Sequence, residues 1–191
     1  MGRGVNMITK QGLELIKQFE KCSLKAYCAT EQEEREGKFT IGYGHVLIGG
    51  EEDVLGHQIG ITRRWTEITK ADAEKLLAND IESICNRLRK ILPEEFLEPH
   101  QKDAVVSLIY NIGMANFTKS KVYEHLANKD YERAAYFFRS FTRQGGVRLL
   151  GLVRRRAVEK LYFQKAANSY KDVWSGKIDP HEVLDLPKSQ D

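Results

Sequence analysis

Leu13, Ile16 and Phe19, with Leu15 beside them, recur at helical spacing behind Thr9, a residue type that caps helix N-termini. The pattern predicts a helix from Thr9 that stops near Glu20–Cys22. A longer pattern runs through "TKADAEKLLANDIESICNRLRKIL". Leu76, Leu77, Ile81, Ile84 and Leu88 hold one face over many turns, and Thr69 with Asp72 resembles a capping box. This predicts a helix over about 69–91, ended by Pro93. Pro99 then opens another, apolar at Ala104, Val105, Leu108, Ile109 and Ile112 and closed by Gly113. Shorter helical patterns follow around Lys119–Ala127, Tyr131–Phe141 and Leu150–Ala167, with Gly145-Gly146 separating the last two.

Between the first two helices the period shortens. "LKAYCATEQEEREGKFTIGYGHVLI" carries β-prone pieces on either side of a polar turn at Glu36-Gly37-Lys38, which predicts a β-hairpin. The glycine-rich stretch from Gly49 to Trp65 reads as loop with one short strand. Residues 1–8 read as a loose end. Residues 170–191 hold two of the four prolines and little periodicity, as a linker, an ordered strap or a disordered end would. The expected architecture is α+β. A small β-hairpin lobe spans about 23–68, a linking helix about 69–91, and a helical lobe about 92–168 that also takes in the first helix. A C-terminal extension covers 169–191.

Composition narrows the class. At 41% hydrophobic and 30% charged, the chain suits a soluble domain. No run approaches the roughly 18 apolar residues of a membrane span. "MGRGVNMITKQG" lacks the apolar core of a signal peptide and the Ser/Thr of a myristoylation site. These features lead us to expect no stable membrane anchor. The odd set Cys22, Cys28 and Cys85, without a C-x-x-C pair, argues against zinc or a disulfide framework. Net charge is +3 and uneven: residues 1–169 carry +5 and the remainder −2. That bias suits an anionic polymer, either cell wall or nucleic acid.

One carboxyl stands out. Glu20 ends an amphipathic helix beside Phe19. There the negative end of the helix dipole and apolar surroundings both favour a protonated acid, as general acid catalysis requires. "FTIGYGH", with Gly42 and Gly44, is glycine-rich but lacks the helix start and the Lys of a phosphate loop. Its glycines instead permit close packing or close approach of a ligand. The run Arg154-Arg155-Arg156 steps about 100° per residue around a helix and so makes no single basic face. Aromatics do not interleave with the basic residues, which disfavours a nucleic-acid partner.

"EKCSLKAY", "TIGYGH", "ITKADAEKLLANDI", "FTKS" and "GLVRRRAVEKLYF", in that order over roughly residues 9–167, resemble the phage-type lysozymes of T-even and lambdoid phages. The resemblance implies a lysozyme-like fold and a monomer. It also implies an endolysin that hydrolyses the β-1,4 bond between N-acetylmuramic acid and N-acetylglucosamine in peptidoglycan, with no metal or cofactor. Such a protein would wait in the host cytoplasm before release to the wall. Glu20 takes the role of general acid and Thr40 that of a water-holding hydroxyl. His45 pairs with Asp80 to brace the lobe. Tyr43 and Asn111 are candidates for the substrate cleft, and Arg154 or Arg155 for a cation beside the acid.

The chain departs from the family where a second catalytic group is expected. Ala29 stands there, behind an apparent five-residue insertion, "QEERE". Three options remain: Cys28 serves through a shift or bulge of its strand; Glu31, Glu33 or Glu34 reaches back; or Glu20 works nearly alone with Thr40. The last keeps open a lytic transglycosylase or a non-catalytic wall-binding homologue.

Overall fold

The structure, a computed structural model, describes residues 8–28, 30–47, 67–166 and 169–187. Ala29, residues 1–7 of the expected loose end and the whole of the expected loop from Gly49 to Trp65, with its short strand, lie outside the described residues. The chain divides into two compact units, Glu14–Ser83 on one hand and Met1–Leu13 with Ile84–Asp191 on the other. The division falls within the first helix, α1 (Lys10–Phe19), and within the long helix, α3 (Lys70–Arg89). The secondary structure is α+β.

The smaller unit is built on a three-stranded antiparallel sheet of β1 (Ser23–Tyr27), β2 (Phe39–Gly42) and β3 (His45–Leu47), in that order. Phe39 faces Leu47 and Ile41 faces His45, which leaves Gly42-Tyr43-Gly44 as the connection. Both glycines have positive φ, 63° and 94°, so the glycine-rich stretch is a tight hairpin turn. A Cβ on Gly42 would meet Ala73 of α3 at ordinary contact distance, 3.4 Å, so it is the positive φ that calls for glycine there. Tyr43 is buried at the turn, and its hydroxyl accepts from Lys70 Nζ at 2.6 Å. Ile41, Leu47, Leu76, Leu77 and Ile81 are buried in this unit. The α3 N-terminus closes as a reciprocal box with Asp in place of the usual Glu or Gln. Asp72 N–H donates to Thr69 Oγ1 and Thr69 N–H to Asp72 Oδ2.

The charged run that reads as a lengthened hairpin is a helix, α2 (Glu31–Arg35). Thr30 caps it by accepting from Glu33 N–H at 3.1 Å. Gly37, at φ 66°, ends it: Lys38 N–H returns to the Glu33 carbonyl and Gly37 N–H to that of Glu34. This is the paired carbonyl closure of a helix end in which glycine takes the left-handed position. The expected turn at Glu36-Gly37-Lys38 is therefore this helix terminus.

The larger unit packs α4 (Pro99–Ile112) against α8 (Leu150–Phe163), with α5 (Met114–Thr118), α6 (Lys121–Ala127) and α7 (Tyr131–Phe137) between them in sequence. Its core includes Val105, Leu108, Phe117, Phe138, Ala157 and Phe163. Two buried carboxylates organise it. Asp103 accepts from Thr9 N–H (2.9 Å), Thr9 Oγ1 (2.5 Å) and Tyr162 Oη (3.1 Å). Gly12 is required beside it, because any side chain there would overlap the carboxylate. Glu159 holds Ser107 Oγ at 2.6 Å and the guanidinium groups of Arg155 and Arg156. Arg156 Nε also approaches its second oxygen to 2.8 Å, an ion pair without hydrogen-bond alignment.

Gly145 and Gly146, both at positive φ, do more than separate helices. They turn a small hairpin of β4 (Arg143–Gln144) and β5 (Val147–Arg148). Residues 169–187 of the C-terminal extension form a strap with helices α9 (Ser169–Ser175) and α10 (Pro180–Val183). Val173 and Leu184 are buried. Alternate carbonyls of the strap accept from basic side chains: Val183 from Lys160 (2.8 Å), Asp185 from Arg139 (2.6 Å) and Pro187 from Arg148 (3.1 Å).

Candidate active site

Glu20 follows α1 directly, and its N–H makes the closing helical bond to the Ile16 carbonyl at 3.1 Å. β1 and β2 bring further groups toward it. Tyr27 lies directly opposite Thr40, and directly paired residues project from the same sheet face. Burial, reinforced by the carboxylates of Glu20 and Glu33, pushes the Tyr27 hydroxyl above its ordinary pKa. Both carboxylates are thus within electrostatic reach of Tyr27, whose ring shares its face with Thr40. Glu33 comes from α2 and is half-buried, with Lys38 Nζ 3.5 Å from it. Two carboxylates thus act electrostatically on one aromatic side chain, which pairs across the sheet with Thr40.

β1 is irregular on the way to this point. Ser23 pairs with Gly42 but Tyr27 with Thr40, so β1 spends two more residues than β2 over the same stretch. Leu24 and Lys25 are both exposed, where regular alternation would bury one of them. A shift of two keeps the facing of later residues. Ala26 is buried and Tyr27 exposed, and Cys28, half-buried, follows just beyond the strand. Continued alternation would put its sulfur on the Ala26 side, away from Tyr27 and Thr40.

The other expected site residues are dispersed in role. His45 Nδ1 lies 2.9 Å from Asp80 Oδ1 and 3.0 Å from Oδ2, a pair joining β3 to α3. Tyr43 fills the core of the smaller unit, with Lys70 Nζ 4.5 Å from its ring centre, so it is not a cleft-lining side chain. Asn111 is exposed in the last turn of α4. Arg154 is corrected: it is exposed, whereas Arg155 and Arg156 turn inward to Glu159. The 100° step between neighbours separates them. Two of the three members of the arginine run are therefore buried. Cys85 is fully buried, and that burial raises its thiol pKa.

Two participants had weak signals in the sequence. Tyr27 belongs to the quoted motif, seven positions after Glu20, but nothing in the spacing assigns it a role. Glu33 stands three residues after Thr30, the Thr-x-x-Glu arrangement of a helix start, which would have drawn the charged run as α2. Among the described residues no group of His, Cys, Asp and Glu is arranged to hold a metal ion, and no helix is long and apolar enough to cross a membrane.

A family profile described as "Phage lysozyme" matches residues 17–159. An endolysin of Acyrthosiphon pisum secondary endosymbiont phage 1 is 35% identical over 163 residues, covering 83% of this chain and 99% of the relative. An endolysin of Bacillus phage PZA is 34% identical over 175 residues, covering 91% of this chain; the match spans 62% of that relative's length. Among solved structures, the muramidase domain of SpmX from Asticaccaulis excentricus superposes with a TM-score of 0.65 at 29% identity, over 82% of this chain and 96% of that one.

Proposed function

The chain belongs to the phage lysozyme family, and on that premise we propose that it acts as an endolysin, cleaving the β-1,4 bond between N-acetylmuramic acid and N-acetylglucosamine in peptidoglycan. The observation that carries this reading is the grouping of Glu20, Thr40 and Glu33 about Tyr27. Glu20 donates its proton to the leaving glycosidic oxygen. Thr40 holds the attacking water. Glu33 is the second carboxylate, taking the proton that the water loses, and water delivered in this way inverts the anomeric centre. The relative described as a muramidase domain supports the choice of bond.

A second reading gives the second role to Cys28, half-buried just beyond β1; it needs a change of facing after Tyr27, because the two-residue shift in β1 leaves the facing unchanged. A third dispenses with the water, the sugar's own hydroxyl attacking as in lytic transglycosylases. One set of measurements separates these. Purified peptidoglycan is digested, loss of turbidity gives the rate, and mass spectrometry gives the products. Glu20→Gln is expected to abolish lysis in all three; equal lysis by that variant overturns the proposal. Glu33→Gln is expected to lower the rate by about 100-fold, the low end of a general base contribution, while Cys28→Ser leaves it within a factor of two or so. The reverse order selects Cys28. Products lighter by one water select the transglycosylase.

A further inference from the structure

The larger unit carries a cationic pocket that the proposed chemistry does not use. Arg143 and Arg148 face each other directly across the β4–β5 hairpin. Like charges in that position destabilise a strand pair. Their strands are two residues each, too short for the ladder alone to offset such repulsion. Both side chains, together with Arg139, Ser140, Thr142 and Leu186, line a cavity of about 340 Å³. Among the described residues one carboxylate pairs with this cluster: Asp185 Oδ2, 3.2 Å from Arg139, on a side chain that is 85% exposed. Lys160 stands close by, and burial, then Arg139, lower its pKa.

The donors are only partly used. Arg143 Nη1 donates to the Gly146 carbonyl at 2.8 Å and Arg148 Nη1 to the Pro187 carbonyl at 3.1 Å. Arg139 stacks its guanidinium 4.8 Å from the Tyr136 ring centre and donates to Asp185. Arg148 Nε is buried and has no hydrogen-bond partner among the described residues. Leaving such a donor unmade costs about 1–3 kcal/mol, more for a charged group.

We propose that this pocket is a binding site for a phosphate group, in the form of a phosphate monoester or diester. An anion between Arg143 and Arg148 turns the opposed like charges into two charge-assisted contacts and gives Arg148 Nε its acceptor. Three guanidinium groups suit a tetrahedral oxyanion, with more oxygens than the two of a carboxylate that a single fork already satisfies. Phosphodiesters occur in wall-linked polymers and in membrane lipid headgroups, and the chemistry is the same for both. The site goes beyond the glycosidase reading and does not depend on it.

The test is a titration of the full chain with inorganic phosphate at constant ionic strength, followed by ¹H–¹⁵N spectra. Expected are saturable shifts at residues 139–148 and at Leu186, with acetate giving none. Arg143→Gln removes an exposed side chain and one of the two opposed charges, so the variant should stay folded. Its phosphate affinity should fall about tenfold, the worth of one charge-assisted contact. Asp185→Asn, which removes the competing carboxylate, should tighten binding. Shifts that do not saturate, that persist unchanged in Arg143→Gln, or that acetate reproduces overturn the proposal. A soluble glycerol-phosphate polymer and phosphatidylglycerol vesicles then identify the source. Whichever binds more tightly than inorganic phosphate, with the gain lost in Arg143→Gln, supplies the phosphate; a gain that survives that variant counts against the site.

Discussion

The two units handle acidic side chains in opposite ways. In the larger unit Asp103 and Glu159 are fully buried, each holding at least three donors. In the smaller unit Glu33 is only half-buried on a helix that buries nothing, and Glu20 closes α1 beside a half-exposed Tyr27. A carboxylate enclosed by buried donors has no room for a substrate beside it. The buried acids of the larger unit hold elements together, whereas Glu20 and Glu33 are only partly enclosed and are the acids to which the proposed chemistry turns.

The largest effects should separate along that line. Glu20→Gln is expected to cost at least about 100-fold in lysis, as loss of a general acid does, with stability changed by no more than about 1 kcal/mol, since Gln keeps the shape of a half-buried side chain. Glu159→Gln should do the reverse. Removing the anion that Arg155 and Arg156 share should cost about 3–5 kcal/mol, read as a fall in the denaturation midpoint. Similar stability losses in the two variants would erase the distinction.

Gly12→Ala should come next. The methyl group must displace the Asp103 carboxylate and its three donors, and overpacking of this kind costs about 1–3 kcal/mol. Chemical denaturation checks it. An unchanged midpoint would mean that Asp103 does not anchor the start of α1.

How much of this was legible follows from what makes each feature. The long helices α3, α4 and α8 depend on apolar residues at helical spacing, and that period is written in the chain. α2 is five residues long and charged all round, so it has no period; only its ends, Thr30 and Gly37, mark it. The β4–β5 hairpin has two-residue strands, too short to alternate visibly, although its Gly-Gly loop is a turn type that demands such residues. The strap is held by three backbone carbonyls, and backbone acceptors leave no trace in side-chain pattern. At the site, the motif singled out Glu20 and Thr40, but Glu33 is brought to Tyr27 by α2, which had to be recognised first. In the arginine run, offered as Arg154 or Arg155, Arg154 is exposed and Arg155 turns to Glu159, and three identical residues in a row do not say which of them points inward.

Tyr162 offers a pH test of the buried side of the comparison. Burial and the Asp103 carboxylate push its pKa to about 12, from an ordinary value near 10. The folded state therefore keeps this proton where the unfolded state has lost it. Its contribution is intact below about pH 10 and is lost as pH rises through about 12. Stability measured between these values should fall with a slope that Tyr162→Phe reduces. An identical slope in the variant would mean that other groups drive alkaline unfolding.

The smallest effect is the most discriminating, because the same bond can be removed in both units. Thr30 caps α2 by accepting from Glu33 N–H at 3.1 Å, and Ser120 caps α6 by accepting from Tyr123 N–H at 3.2 Å. Loss of such a cap costs about 1 kcal/mol where the helix is part of the cooperative core. α6 buries Val122 and Leu126, so Ser120→Ala should lower global stability by that amount. α2 buries no side chain, and a helix without buried contacts opens locally without unfolding the rest. Thr30→Ala should therefore leave the melting temperature in place while loosening Glu33, so that lysis slows and the protection of α2 amides from hydrogen exchange falls. A drop in melting temperature equal to that of Ser120→Ala would show that α2 belongs to the core after all. Unchanged lysis with lost protection would take Glu33 out of the reaction.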